Sequence, residues 1–197
     1  THTGTPVWVC GSGPTVIFAH GVLMDHRMWH AQAAALSGRF RVCSFDMLGH
    51  GQGPPSPAGP VLGDFVEQAE EVVNRFSESG APAFVGFSMG ALIAQAVAAS
   101  NLTPLAGVVL MNAVYARTPE QSAVVRSRSH SSARDGAQGA VRSAHERWFT
   151  DDDREHRPSD IDKICRWMLD GDFAPKQKAH WVFANSDDHT AGKLGKI

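Results

Sequence analysis

Ser88 lies between two glycines in the run Gly86-Phe87-Ser88-Met89-Gly90. A serine hydroxyl becomes a nucleophile where the chain holds it open to a substrate and a base can take its proton. The flanking residues provide such a setting. Residues 83–87 are an apolar run of strand length, and residues 91–99 are alanine-rich with no breaker, which predicts a helix. A glycine on either side of the serine removes the Cβ that would crowd a tight strand-to-helix turn. The turn presents the hydroxyl at the carboxyl end of a parallel sheet. The following helix aims its free N–H groups and its dipole at the same point, where they favour a developing anion. The plain alternative is a Gly-Ser turn without chemistry, and the strand and helix on its two sides favour the nucleophile.

Positioning that serine requires a parallel sheet, and the rest of the chain reads as one. Residues 6–10 form a short strand, followed by a turn at Gly11-Ser12-Gly13-Pro14. Residues 15–19 and 41–45 are continuous apolar runs, as in strands buried on both faces. They stop at His20-Gly21 and at Asp46. Between them, residues 25–36 read as a helix with Met28, Trp29 and Ala33 on one face. Residues 61–79 are amphipathic, with Phe65, Val66, Ala69, Val72, Val73 and Phe76 at helical spacing. Residues 105–111 read as a further buried strand. Strands that alternate with helices predict a mostly parallel sheet with helices on both faces. From residue 114 the character changes. Thr118 reads as a helix N-cap with Pro119 at the first helical position, and residues 140–149 and 161–169 read as helices. The expected organisation is an α/β core with the turn at residues 1–113, a helical lid at 114–175, and a return helix at 176–197.

Composition narrows the function. The chain has 197 residues, a net charge of −2 and 19% charged residues, so no nucleic-acid partner is expected. Its apolar runs are of strand length, so no membrane-spanning segment is expected. Cys10, Cys43 and Cys165 are far apart, without metal-ligand spacing, and read as reduced thiols. With no basic and apolar leader at the start, this points to a cytoplasmic protein. No metal and no cofactor are expected.

Sites in open parallel sheets form outside the carboxyl ends of the strands. Three features converge there: His20-Gly21-Val22, the segment Asp46-Met47-Leu48-Gly49-His50-Gly51-Gln52-Gly53, and Ser88. In these stretches, in their order and spacing, the chain resembles the α/β-hydrolase superfamily. Glu146-Arg147-Trp148-Phe149-Thr150 further resembles a lid segment of the 3-oxoadipate enol-lactonase subgroup. The resemblance implies that Ser88 is the nucleophile and that the backbone N–H groups of Val22 and Met89 form an oxyanion hole. It implies a small ester or lactone as substrate, with a C–C bond hydrolase or a cofactor-free haloperoxidase as the nearest enzymatic alternatives. Trp148, in the lid, is the candidate for a side chain facing the substrate.

Other residues carry structural expectations. His20 is expected to bond loop backbone, His50 to be an exposed turn residue, and Asp46 to tie its loop by hydrogen bonds. Trp29, Trp167 and Phe149 are expected in the core. The histidines at 130, 145, 156, 180 and 189 are expected to be solvated. The superfamily's triad acid and histidine, in the order serine, acid, histidine, have no evident counterpart. Asn112 stands where an acid can follow the strand at 105–111, and it cannot be an anionic partner. His189, after Asp187 and Asp188, is the only late histidine that could serve as base. The last strands are therefore expected to be missing from this chain. That leaves the strand at 105–111 as an exposed edge and favours self-association or a complementing C-terminal polypeptide. A catalytically silent binding or signalling module is the alternative from another class.

Overall fold

The computed structural model describes residues 4–186, 190, 192 and 193. Its centre is a five-stranded sheet in the order β1-β3-β2-β4-β5. The strands are β1 (Val7–Cys10), β2 (Thr15–Ala19), β3 (Arg41–Phe45), β4 (Ala83–Phe87) and β5 (Gly107–Met111). Only β1, paired with β3, runs antiparallel; the pairs β2–β3, β2–β4 and β4–β5 are parallel.

The alternation of side chains along a strand divides the core into two. Ile17, Ala19, Cys43, Phe45 and Phe84 face one way, into the larger apolar cluster. There they meet Phe65, Ala69, Val72 and Val73 of α2 (Leu62–Arg75) and Leu92, Ile93 and Val97 of α3 (Met89–Ser100). Phe18, Val42 and Val85 face the other way and pack on Trp29, Ala33 and Leu36. The stretch expected as one helix at 25–36 is a 3-10 turn, His26–Trp29, followed by α1 (His30–Leu36). Asp25 Oδ1 accepts from the Arg27 N–H at 2.9 Å. Together with the Met28 N–H bond to the Asp25 carbonyl, this cap closes the first turn more tightly than an α-helix does.

Strand β5 is not the buried strand that its apolar run alone suggests, and it matches the expectation of an exposed edge. Among the described residues it pairs only with β4, and Val109, Leu110 and Met111 are 50%, 41% and 39% exposed. It is a sheet edge with apolar side chains in solvent.

After β5 the described chain is helical: α4 (Pro119–Trp148), α5 (Asp151–His156), α6 (Pro158–Leu169) and α7 (Phe173–Asn185). Helix α4 starts with a capping box. Thr118 Oγ1 accepts from the Gln121 N–H at 3.3 Å, and Gln121 Oε1 accepts from the Thr118 N–H at 2.9 Å. Gly136, at φ 68° and ψ −168°, kinks it midway. Among the described residues, no helix is long and apolar enough to cross a membrane.

Candidate active site

The carboxyl ends of β2, β3 and β4 deliver three loops to one place. Ser88 follows β4 with φ 54° and ψ −112°, a backbone conformation that costs an L-residue about 1–3 kcal/mol. Two sets of contacts hold it there. Its N–H continues the sheet by donating to the Met111 carbonyl at 2.9 Å, while its carbonyl accepts the Ala91 and Leu92 N–H groups at the start of α3. The flanking glycines are required by close approach: a Cβ at Gly86 would collide with the Gly90 carbonyl, and one at Gly90 with the Ala19 and His20 carbonyls.

The loop after β2 is equally constrained. Leu23 has φ 69° although it is buried. Its N–H donates to His50 Nε2 at 3.3 Å, and the Met24 N–H turns back to the Gly21 carbonyl at 3.2 Å. The two N–H groups that follow Val22 are thus committed. Met89 stands at the first position of α3, where an N–H has no intrahelical acceptor.

Two histidines brace these loops. His20 Nδ1 donates to the Gly21 carbonyl at 2.8 Å and its Nε2 accepts from the Met47 N–H at 2.9 Å, as expected of a structural residue. His50 is not the exposed turn residue that its glycine-rich surroundings suggest. It is 1% exposed and uses both nitrogens, Nδ1 donating to the Leu48 carbonyl at 3.0 Å and Nε2 accepting from Leu23. The segment folds back under the β2 loop, and glycines at 49 and 51 allow the turns at φ 69° and 49°. Burial lowers the pKa of His20. Burial, then the nearby His20, lowers His50 to about 3. Both rings are neutral at pH 7.

Asp46 ties its loop as expected. Oδ1 accepts from the His26 N–H at 2.6 Å and lies 2.9 Å from His26 Nδ1, and Oδ2 accepts from the Gln52 N–H at 2.8 Å. Asp25, His26 and Asp46 bring three possible metal ligands within 4.8 Å of one another, but these groups are already engaged. Asp25 grips Arg27 through contacts of 2.6 to 3.1 Å. Burial opposes ionisation of Asp25, and the bonds from Arg27 outweigh it and hold the carboxyl below its ordinary range. Arg27 also reaches Asp170 at 2.8 Å, which fastens the segment after α6 to the core.

Ser88 opens on a cavity of about 480 Å³. Gly21, Val22, Phe87 and Asn112 form its floor with Ser88, and Arg147, Trp148, Phe149, Ile164 and Trp167 come from α4, α6 and the turn between α4 and α5. The cavity therefore includes Val22, Ser88 and Trp148. Met89 is fully buried beneath it. Phe149, expected in the core, lines the cavity instead, and Trp167 both packs against the larger core cluster and lines the cavity. The apolar period of a helix tells which face is covered, and here part of the cover is empty space. Met24 and Arg147 were not singled out from the sequence, Met28 was read only as part of an apolar helix face, and Arg147 carried no signal beyond its place in the Glu146–Thr150 segment. Among the described residues, no imidazole and no carboxylate lines this cavity. His189, Asp187 and Asp188 lie outside the described residues.

The family model of the alpha/beta hydrolase fold matches residues 14–156, and the chain belongs to that family. It is 28% identical over 184 residues to (E)-2-((N-methylformamido)methylene)succinate hydrolase of Acinetobacter baylyi, a match covering 90% of this chain and 65% of that protein. It is 27% identical over 140 residues to 3-oxoadipate enol-lactonase 1 of the same organism, covering 71% and 51%. The chain thus spans less than two thirds of the length of either curated relative. The crystal structure of the enol-lactonase from Burkholderia xenovorans LB400 superposes with a TM-score of 0.76 at 24% identity, over 97% of this chain and 72% of that one.

Proposed function

We propose that the protein is a serine hydrolase of a small ester or lactone, with Ser88 as nucleophile. The observation that carries this reading is the left-handed backbone of Ser88 between β4 and α3, at the floor of a 480 Å³ cavity. Strain of that kind is held in place where it serves a function. In the reaction Ser88 Oγ attacks the carbonyl carbon and gives its proton to a base. The carbonyl oxygen takes the negative charge and accepts hydrogen bonds from the Val22 and Met89 N–H groups, an arrangement in which each donor is worth about 3 kcal/mol. Collapse of this intermediate expels the alcohol or enol oxygen, which takes up the proton, and water then releases the acid from Ser88. The base and its acid partner have no assigned residue among the described ones.

Arg147 refines the substrate. It lines the cavity with no carboxylate paired to it among the described residues, its Nε resting 3.3 Å from Ser143 Oγ. A cation there suits a substrate that carries its own carboxylate. This agrees with relatives named for succinate and oxoadipate derivatives. Trp148 and Trp167 supply the apolar wall. Helices α4 to α6 act as the lid, the described residues up to 113 as the core, and α7 as the return from the lid; most of residues 187–197 lie outside the described residues. The open edge of β5 is the place where a second copy or a complementing polypeptide pairs.

A fluorophosphonate probe tests the nucleophile. It should label Ser88, and labelling should vanish in Ser88→Ala. In an active form of the protein the same substitution should lower ester or lactone turnover by a factor of thousands or more. A Ser88→Ala variant that keeps most of its turnover refutes the assignment. Absence of labelling in an intact protein instead favours a catalytically silent binding module.

A further inference from the structure

The kink in α4 creates a second cavity, separate from the one above Ser88. Gly136 leaves helical geometry and bends the helix into two arms. Arg128, Ser132 and Asp135 come from the first arm, Ser143 and Arg147 from the second, and His180 from α7. They line a pocket of about 50 Å³ that is partly open to solvent, with Arg128, Asp135 and Arg147 exposed at its rim. A single water needs about 10–15 Å³ of such space, so the cavity has room for an ion of a few atoms and none for a phosphate ester.

Its walls are polar in an unbalanced way. Ser132 is 5% exposed and its Oγ has no hydrogen-bond partner among the described residues. His180 Nδ1 is likewise buried and unpartnered. Buried polar atoms without partners are rare, and each is costly when nothing fills the gap. Neither Arg128 nor Arg147 forms an ion pair among the described residues. Asp135 is the one carboxylate on the wall, and Arg134 engages it at 2.8 and 3.1 Å. Burial, followed by the charges of Arg147, Arg128 and Arg117, pushes the His180 pKa down to about 4. The imidazole is neutral at pH 7, with one N–H to donate.

We propose that this cavity is a binding site for a small carboxylate of formate or acetate size, held by the Arg128 and Arg147 guanidinium groups, the Ser132 hydroxyl and the His180 ring. Arginine forks match the two oxygens of a carboxylate, and the serine and histidine donors complete the shell. Because Arg147 also lines the Ser88 cavity, an occupied kink draws that guanidinium away from the serine and changes the charge the substrate meets. The kink site itself stands independently of the reaction assigned to Ser88.

The test is a titration of the protein with sodium acetate, at constant ionic strength maintained with a bulky anion such as gluconate, while the His180 imidazole is followed by NMR. Saturable shifts and a rise of the His180 pKa above 4 are expected. Arg128→Gln should weaken binding tenfold or more, Ser132→Ala severalfold, and Asp135→Asn should tighten it severalfold by removing a like charge. The last variant keeps the test informative if the others fold poorly. Chloride at the same ionic strength should compete weakly, lacking the forked oxygens. Shifts that never saturate, or affinities unchanged in all three variants, would show a cavity filled by water alone and overturn the site.

Discussion

His50 shows how a residue far from the reacting atoms governs the site. Its Nε2 is the acceptor that holds the Leu23 N–H and so sets the loop carrying Val22. Burial keeps its folded pKa at about 3, against about 6.5 in an unfolded chain. The unfolded state takes up a proton below pH 6.5 that the folded state refuses. The stabilisation is therefore complete above pH 6.5 and is lost as pH falls towards 3, at up to about 1.4 kcal/mol per pH unit. Urea unfolding of His50→Gln between pH 6.5 and 4.5 should show a shallower loss of stability than the wild type by up to that slope. Identical slopes would mean that His50 titrates normally. The role of His50 could not be read from the sequence, because its burial depends on a contact 27 residues away. The strand-to-helix turn at Ser88 could be read, because the glycines that make it possible are two residues to either side. Arg147 and Trp167 fall between these cases: a helix was legible around each, but what each faces is decided by how α4 and α6 pack.

At the scale of elements, the helical segment depends on its caps and anchors more than on apolar burial. Only Ser129, Ser132, Ala140 and Ala144 of the thirty residues of α4 are buried. Its first turn is secured by the Thr118–Gln121 box. Thr118→Ala should cost about 1 kcal/mol. The loss should appear as faster tryptic cleavage near Arg126 and Arg128 while the unfolding of the sheet is unchanged. A uniform loss of global stability would instead show that α4 unfolds together with the core. Elements with a strong period, such as α2 and the strands β2 to β4, were legible to within a few residues. The Gly136 kink was not, since an isolated glycine in a helical pattern is compatible with a straight helix and with a bend.

For the whole molecule, the composition of β5 decides behaviour in solution. Its open edge combines unpaired backbone groups with exposed Val109, Leu110 and Met111, a template for pairing with another chain. The 197-residue polypeptide should associate at micromolar concentration in light scattering. Leu110→Lys, at an exposed position of the edge, should shift it towards monomer without loss of the folded signal. A wild type that stays monomeric at high concentration would show that the edge is protected in some other way.

The order β1-β3-β2-β4-β5 also sets a clock on the sheet. Strand β2 has a neighbour on each side and is covered on both faces, with Ile17 at 0% and Phe18, on the opposite face, at 3% exposure. Its amides can meet solvent only when the whole domain opens. Those of β5 need only fraying of a single ladder. In heavy water the amide protons should vanish outward-in, with β5 losing its signal first and Ile17 to Ala19 keeping theirs longest. The strand that carries the Val22 loop is thus the last part of the sheet to register a local disturbance, and the strand beside the serine's own is the first.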